Sequence, residues 1–157
     1  MFHQLLEPDI IDVSENEITI VKAGAFRDLS YVLINMSHNA ISKIEKDAFV
    51  SCVNITILDM SHNQIDNFTK GSFDDLTYPT EWRLQFNKLK STGDIPLKHM
   101  AGIKSLNVSY NELQEITKTT FPKLYELHTV DFSHNNLSKM FTAVFANLFS
   151  IRHLNLR

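Results

Sequence analysis

Apolar residues recur along this chain at fixed offsets from a series of asparagines. Asn16, Asn39, Asn63, Asn87, Asn111 and Asn135 are spaced 23, 24, 24, 24 and 24 residues apart. Three residues before each stands Val13, Met36, Met60, Leu84, Val108 or Phe132, and five before stands Ile11, Ile34, Leu58, Trp82, Leu106 or Val130. Two after come Ile18, Ile41, Ile65, Leu89, Leu113 and Leu137; ten after come Phe26, Phe49, Phe73, Leu97, Phe121 and Phe145. Thirteen after come Leu29, Cys52, Leu76, Met100, Leu124 and Leu148. The columns spell L-x-x-L-x-L-x-x-N-x-L-x-x-I-x-x-x-x-F-x-x-L, filled six times without a gap. A repeat of this period is one coil of a solenoid, because a single unit cannot bury its own apolar face.

Each column has a physical task. The apolar–polar–apolar triplet is a short strand with its outer two side chains inward and its middle one outward. Stacking the triplets predicts a parallel sheet on the concave side. The convex side is expected to be mostly irregular or short-helical. The turn after each strand would bury backbone N–H and C=O groups that no strand pairs. An asparagine amide, with two donors and one acceptor, satisfies them from inside the turn. The phenylalanine column builds a second spine under the wider convex side.

The register runs past both ends of the sequence. Phe2 and Leu5 stand where a preceding repeat would place its Phe and last Leu, while Ile151, Leu154 and Leu156 open a seventh repeat. The expectation is one array over residues 1–157, cut from the interior of a longer one and without caps. The net charge of −3 is spread evenly, which gives no electrostatic case for nucleic acid or for an anionic membrane. No apolar run approaches the roughly 20 residues of a membrane span, so direct insertion by this segment is not expected. The one cysteine, Cys52, allows no internal disulfide and replaces a core leucine.

The motif resembles the repeats of the extracellular leucine-rich repeat superfamily, which includes Toll-like receptors and neuronal adhesion proteins. The phenylalanine spine and the strand exits Ser37-His38-Asn39, Ser61-His62-Asn63 and Ser133-His134-Asn135 fit that group. Asp94-Ile95-Pro96-Leu97-Lys98-His99-Met100 and the stretch from Phe121-Pro122-Lys123-Leu124 to Thr129 look like the chaoptin-type repeats of insect photoreceptor adhesion proteins. The resemblance implies a leucine-rich repeat solenoid, an α/β horseshoe, in a glycoprotein on the outer face of the plasma membrane. On the chaoptin likeness it is lipid-anchored and adheres to another copy of itself on a neighbouring cell. The other reading is the ligand-binding ectodomain of a Toll-like receptor.

Five N-x-S/T sequons begin at Asn35, Asn54, Asn67, Asn107 and Asn136, where chance gives roughly two. Asn35 and Asn107 are outward strand residues, so glycans there would rise from the concave face. The fourth repeat departs most from the pattern, with Pro79, Trp82, Thr92 and Leu97 at apolar-consensus places. Its outward Glu81, Arg83 and Gln85 lie beside Phe86, and Tyr110 shares the Phe86 column one repeat on. Aromatic residues with arginine are the composition of a binding hot spot; the alternative is a drifted repeat whose Phe86 lies along its neighbours. His38 and His62 stand one coil apart, with Glu15 in the same column, and no further metal ligand is spaced to join them. No nucleophile–base set, phosphate loop or metal motif appears, so neither enzyme activity nor a cofactor is expected.

Overall fold

The computed structural model describes residues 8–157; Phe2 and Leu5, read above as part of a preceding repeat, lie outside them. Seven three-residue strands form one sheet in sequence order, all parallel. They are Ile10–Asp12, Leu33–Asn35, Ile57–Asp59, Glu81–Arg83, Ser105–Asn107, Thr129–Asp131 and His153–Asn155. Coils one to seven are numbered here by these strands. The register aligns Ile11, Ile34, Leu58, Trp82, Leu106, Val130 and Leu154 in one inward file. All of that file except Leu154 is buried, as are Met36, Met60, Leu84, Val108 and Phe132 three residues before their asparagines. Burial of each such side chain stabilises the coil by about 1.5–3 kcal/mol.

The convex side is built from shorter pieces. Parallel two-residue ladders join Ile20–Val21 to Lys43–Ile44, Phe26–Arg27 to Phe49–Val50, Cys52–Val53 to Leu76–Thr77, and Glu115–Ile116 to Lys139–Met140. The described residues contain no α-helix; the helical pieces are two 3-10 turns in coil four, Thr92–Asp94 and Leu97–His99. The extended ladders follow from coils of equal length, which bring the same backbone groups into hydrogen-bonding register on the convex side as on the concave one.

The phenylalanine spine runs in two segments, the first stacked and the second tilted. Phe26, Phe49 and Phe73 lie 5.1 and 5.2 Å apart between ring centroids, and Phe121 lies 5.8 Å from Phe145. Between the segments Leu97 supplies less bulk, and Trp82 leans in from the strand side, 5.1 Å from Phe73 and 5.4 Å from Phe68. Its indole N–H donates to Met60 Sδ at 3.3 Å, so the buried donor has a soft acceptor. Thr92, at an isoleucine place, is buried and lies 2.7 Å from the Thr120 hydroxyl. These smaller residues leave an open hollow of about 410 Å³ on the convex side, bordered by Phe68, Leu97, Thr120 and Pro122. Cys52 is fully buried, and desolvation pushes its thiol up to about 11, which keeps it an unreactive core residue.

Candidate protein-binding surface

The asparagine file sets the geometry of one flank. Asn111 Oδ1 accepts from Leu89 N–H of the preceding coil at 3.0 Å, and its Nδ2 donates to Leu84, Val108 and Ser109 carbonyls at 3.0–3.1 Å. Asn39, Asn63, Asn87 and Asn135 likewise accept from Ile18, Ile41, Ile65 and Leu113 N–H. Asn16 donates within its own turn, to Val13 and Ser14 carbonyls. Each amide from Asn39 onward therefore ties its own turn to the coil before it.

The residue before each of these asparagines is left-handed. Glu15, His38, His62, Phe86, Tyr110 and His134 have φ of 53°, 51°, 52°, 57°, 52° and 54°. Such a conformation costs a side-chain-bearing residue roughly 1–2 kcal/mol, and the backbone supplies the offset. The N–H groups of His38, His62, Phe86, Tyr110 and His134 donate to carbonyls of the following coil at 2.8–3.2 Å.

One consequence is a continuous file of rings. His38, His62, Phe86, Tyr110 and His134 stack with centroid separations of 4.0, 4.3, 4.2 and 4.1 Å and interplanar angles of 11° to 15°. The strand spacing of about 4.8 Å is close to the stacking distance of aromatic rings, so a column of planar side chains closes on itself. The pairs His38–His62 and Phe86–Tyr110 are visible in sequence. Their union through His62–Phe86 and Tyr110–His134 is not, although the shared column before the asparagines is its signal. Phe86 and Tyr110 remain 41% and 44% exposed, so the ring edges face solvent.

On the sheet itself, the outward column is more tightly paired than the sequence suggests. Arg83 Nε lies 2.6 Å from Glu81 Oε1 and its Nη1 lies 3.3 Å from Asp59 Oδ2. The hydrogen bond that Arg83 donates to Glu81 is the leading cause that raises the guanidinium further above its ordinary range. Asp59 also accepts from the Ser61 hydroxyl and is buried, because Arg83 and Ser61 cover it. The outward Arg83 guanidinium is thus paired with two carboxylates. Gln85 Oε1 is buried without a hydrogen-bond partner among the described residues.

Asn35 Nδ2 donates to Asp12 Oδ2 at 3.3 Å, while Ser109 N–H and hydroxyl both donate to Asn107 Oδ1. The Asp12 carboxyl sits below its usual range, chiefly through the Ser14 hydroxyl bond. Asn67 and Asn136 are exposed, and Asn35, Asn54 and Asn107 are half-buried. Desolvation, then the neighbouring His38, lowers the His62 imidazole, against a weaker opposite pull from Asp59. Among the described residues no three or more His, Cys, Asp or Glu side chains gather as a metal site, and no helix is long and apolar enough to cross a membrane.

The family model described as leucine rich repeat matches residues 32–89 and 101–157. The chain belongs to the leucine-rich repeat family. Among individual relatives, osteomodulin of Rattus norvegicus is 31% identical over 81 residues, covering 50% of this chain and 18% of that protein. Two solved structures share the fold at 17% identity. Toll, in a Drosophila Toll–Spätzle complex, superposes with a TM-score of 0.82 over 94% of this chain and 20% of that chain. Human 5T4, a trophoblast glycoprotein also called Wnt-activated inhibitory factor 1, has a TM-score of 0.57 over 92% of this chain and 68% of that one. This leucine-rich repeat chain thus spans about a fifth of the length of osteomodulin and of the Toll chain.

Proposed function

We propose that this chain is a protein-recognition segment of an extracellular leucine-rich repeat array, with its partner landing on coils three to five. The observation that carries the reading is the file of stacked rings. It presents Phe86 and Tyr110 edges, half exposed yet held by their neighbours, next to the Glu81–Arg83–Asp59 group and Gln85. Rigid aromatic anchors lose little entropy on binding and are the residues that dominate interfaces. The extracellular location draws support from the repeat type, from the sequon excess and from likeness to osteomodulin, Toll and 5T4.

The charge pattern favours a different protein as partner, as for the ligand-binding ectodomain of a Toll-like receptor. The outward column holds Asp12, Asp59 and Asp131 but a single guanidinium, Arg83, which of these three pairs with Asp59 alone, so two concave faces pressed together would set like charges against each other. Homophilic adhesion of the chaoptin type, with a lipid anchor on the outer membrane face, is the second reading. It is favoured by the ring edges, which a two-fold axis would pair with their own copies.

The test compares cells displaying the full protein with cells displaying its Phe86→Ala, Tyr110→Ala variant at equal surface level. Clustering among displaying cells and capture of soluble proteins are both measured. The double substitution is expected to weaken whichever binding occurs by about 2 kcal/mol or more. Binding that survives unchanged in both assays overturns the assignment of this surface.

A further inference from the structure

The turns that lead into the second, third and fourth strands of the sheet carry another file of left-handed residues, on the flank opposite the rings. Tyr31, Asn54 and Tyr78 have φ of 56°, 51° and 53°. Their alignment follows from the backbone: Ser30 bridges Val53, Val53 pairs with Thr77, and Asn54 N–H donates to the Thr77 carbonyl at 2.9 Å. The three side chains stand one coil apart, about 5 Å per step. Gly102 takes the place after Tyr78; a Cβ there would come within 3.0 Å of Tyr78 Cδ1, so the glycine leaves the ring its room.

This flank is apolar and uncovered. Tyr31 is 70% exposed, Tyr78 57% and Val53 40%. Asn54 stands between the two tyrosines and opens the sequon Asn54-Ile55-Thr56. Ile55 is fully buried, Asn54 half-buried and Thr56 exposed, so the tripeptide is anchored by its middle residue and flanked by two residues that solvent reaches.

We infer that Asn54 carries an N-linked glycan whose first N-acetylglucosamine lies against Tyr31 and Tyr78 and covers this flank. The inference rests on the chain passing through the secretory pathway, as the extracellular reading requires. In the transfer, a bond forms between Asn54 Nδ2 and C1 of the sugar. The bond from C1 to the pyrophosphate of the lipid-linked donor breaks, the lipid pyrophosphate leaves, and the amide gives up one proton. The C–H face of the pyranose then packs on the tyrosine rings as an aliphatic surface would, removing exposed apolar area. A sugar here closes one flank of the solenoid and leaves the opposite flank, with its stacked rings, open to a protein.

The experiment uses the full protein secreted from a glycosylating cell. Glycopeptide mass spectrometry reads occupancy at each sequon, and hydroxyl-radical footprinting reads the solvent exposure of each tyrosine. Three forms are compared: intact, trimmed by an endoglycosidase to a single N-acetylglucosamine, and Thr56→Ala, which removes the sequon but keeps an asparagine at the left-handed position. Tyr31 and Tyr78 are expected to be protected in the first two forms and labelled several-fold more in the third, with Tyr125 unchanged as control. Occupied Asn54 with equal labelling in all three forms overturns the packing. Asn54 bare while Asn67 and Asn136 are occupied overturns the site but leaves the extracellular reading standing. All five sequons bare overturns both.

Discussion

At the scale of single residues, the amides and the rings divide the work. Asn111 satisfies a buried N–H and the Leu84 carbonyl of the preceding coil together with two carbonyls of its own turn. Asn111→Ala leaves those groups unpaired and is expected to cost about 1–3 kcal/mol. Glu112 is exposed and its nearest cation, Lys90, lies 3.9 Å away, so Glu112→Ala is expected to be near neutral. Urea unfolding of the two variants checks the contrast, and equal midpoints would remove the amide ladder from the account. His62 brings a pH dependence. Its folded-state pKa lies below the ordinary 6.5, through burial first and His38 second. Among nearby groups Asp59 pulls the other way, Glu15 stands in the file beyond His38, and Phe86 carries no charge. As pH falls through 6.5 the unfolded chain takes up this proton before the folded one, so stability holds above that pH and declines below it. His62→Phe keeps a ring in the stack and removes the proton. It is expected to flatten the decline between neutral and mildly acid pH, and a slope identical to the parent's would assign the effect elsewhere.

At the scale of elements, coil four shows that departure from a repeat pattern is not loss of packing. Thr92 and Leu97 replace larger residues there yet are themselves buried, and the convex chain runs through the 3-10 turns Thr92–Asp94 and Leu97–His99 beside the open hollow. Trp82 fills the width from the strand side, fully buried against Phe68 and Phe73. Trp82→Leu restores the repeat consensus and would nevertheless open a cavity in this coil. A loss of about 2–4 kcal/mol is expected, measured by circular dichroism because the variant lacks the indole fluorophore. An unchanged or raised melting temperature would mean that the coil closes around leucine as the other coils do.

The whole molecule is a file of coils in which each one packs on its neighbours, so stability is a sum of local interfaces and the outermost faces stay bare. On the last coils Met140 is 61% exposed, Phe149 76%, Leu154 39% and Leu156 37%. Contiguous apolar surface of this kind drives association. The 157-residue chain is expected to self-associate with rising concentration in sedimentation velocity, and a polar capping coil fused after Arg157 is expected to return it to monomer. A monomer at every accessible concentration without the cap would contradict this.

The sequence alone determined the solenoid, its register and its inward files, because a 24-residue spacing of Asn, Leu-type and Phe residues has one economical packing. It also marked Trp82, Phe86 and Tyr110 as irregular, and the sequon at Asn54, by column and by motif. Three matters were decided only by the tertiary structure. The sequence marks Arg83 as outward, but its pairing with the cross-strand Asp59 and the same-strand Glu81 is set by side-chain reach across a sheet. The five rings from His38 to His134 became one stack because the coil pitch matches ring stacking, a distance no residue pattern contains. The column of Tyr31, Asn54 and Tyr78, each fifteen residues after an asparagine of the ladder, can be counted in the sequence, but only the structure shows it to be left-handed, with Asn54 between two exposed tyrosines. Periodicity fixes which residues share a file, while pitch, reach and local turns fix what the members of a file do to one another.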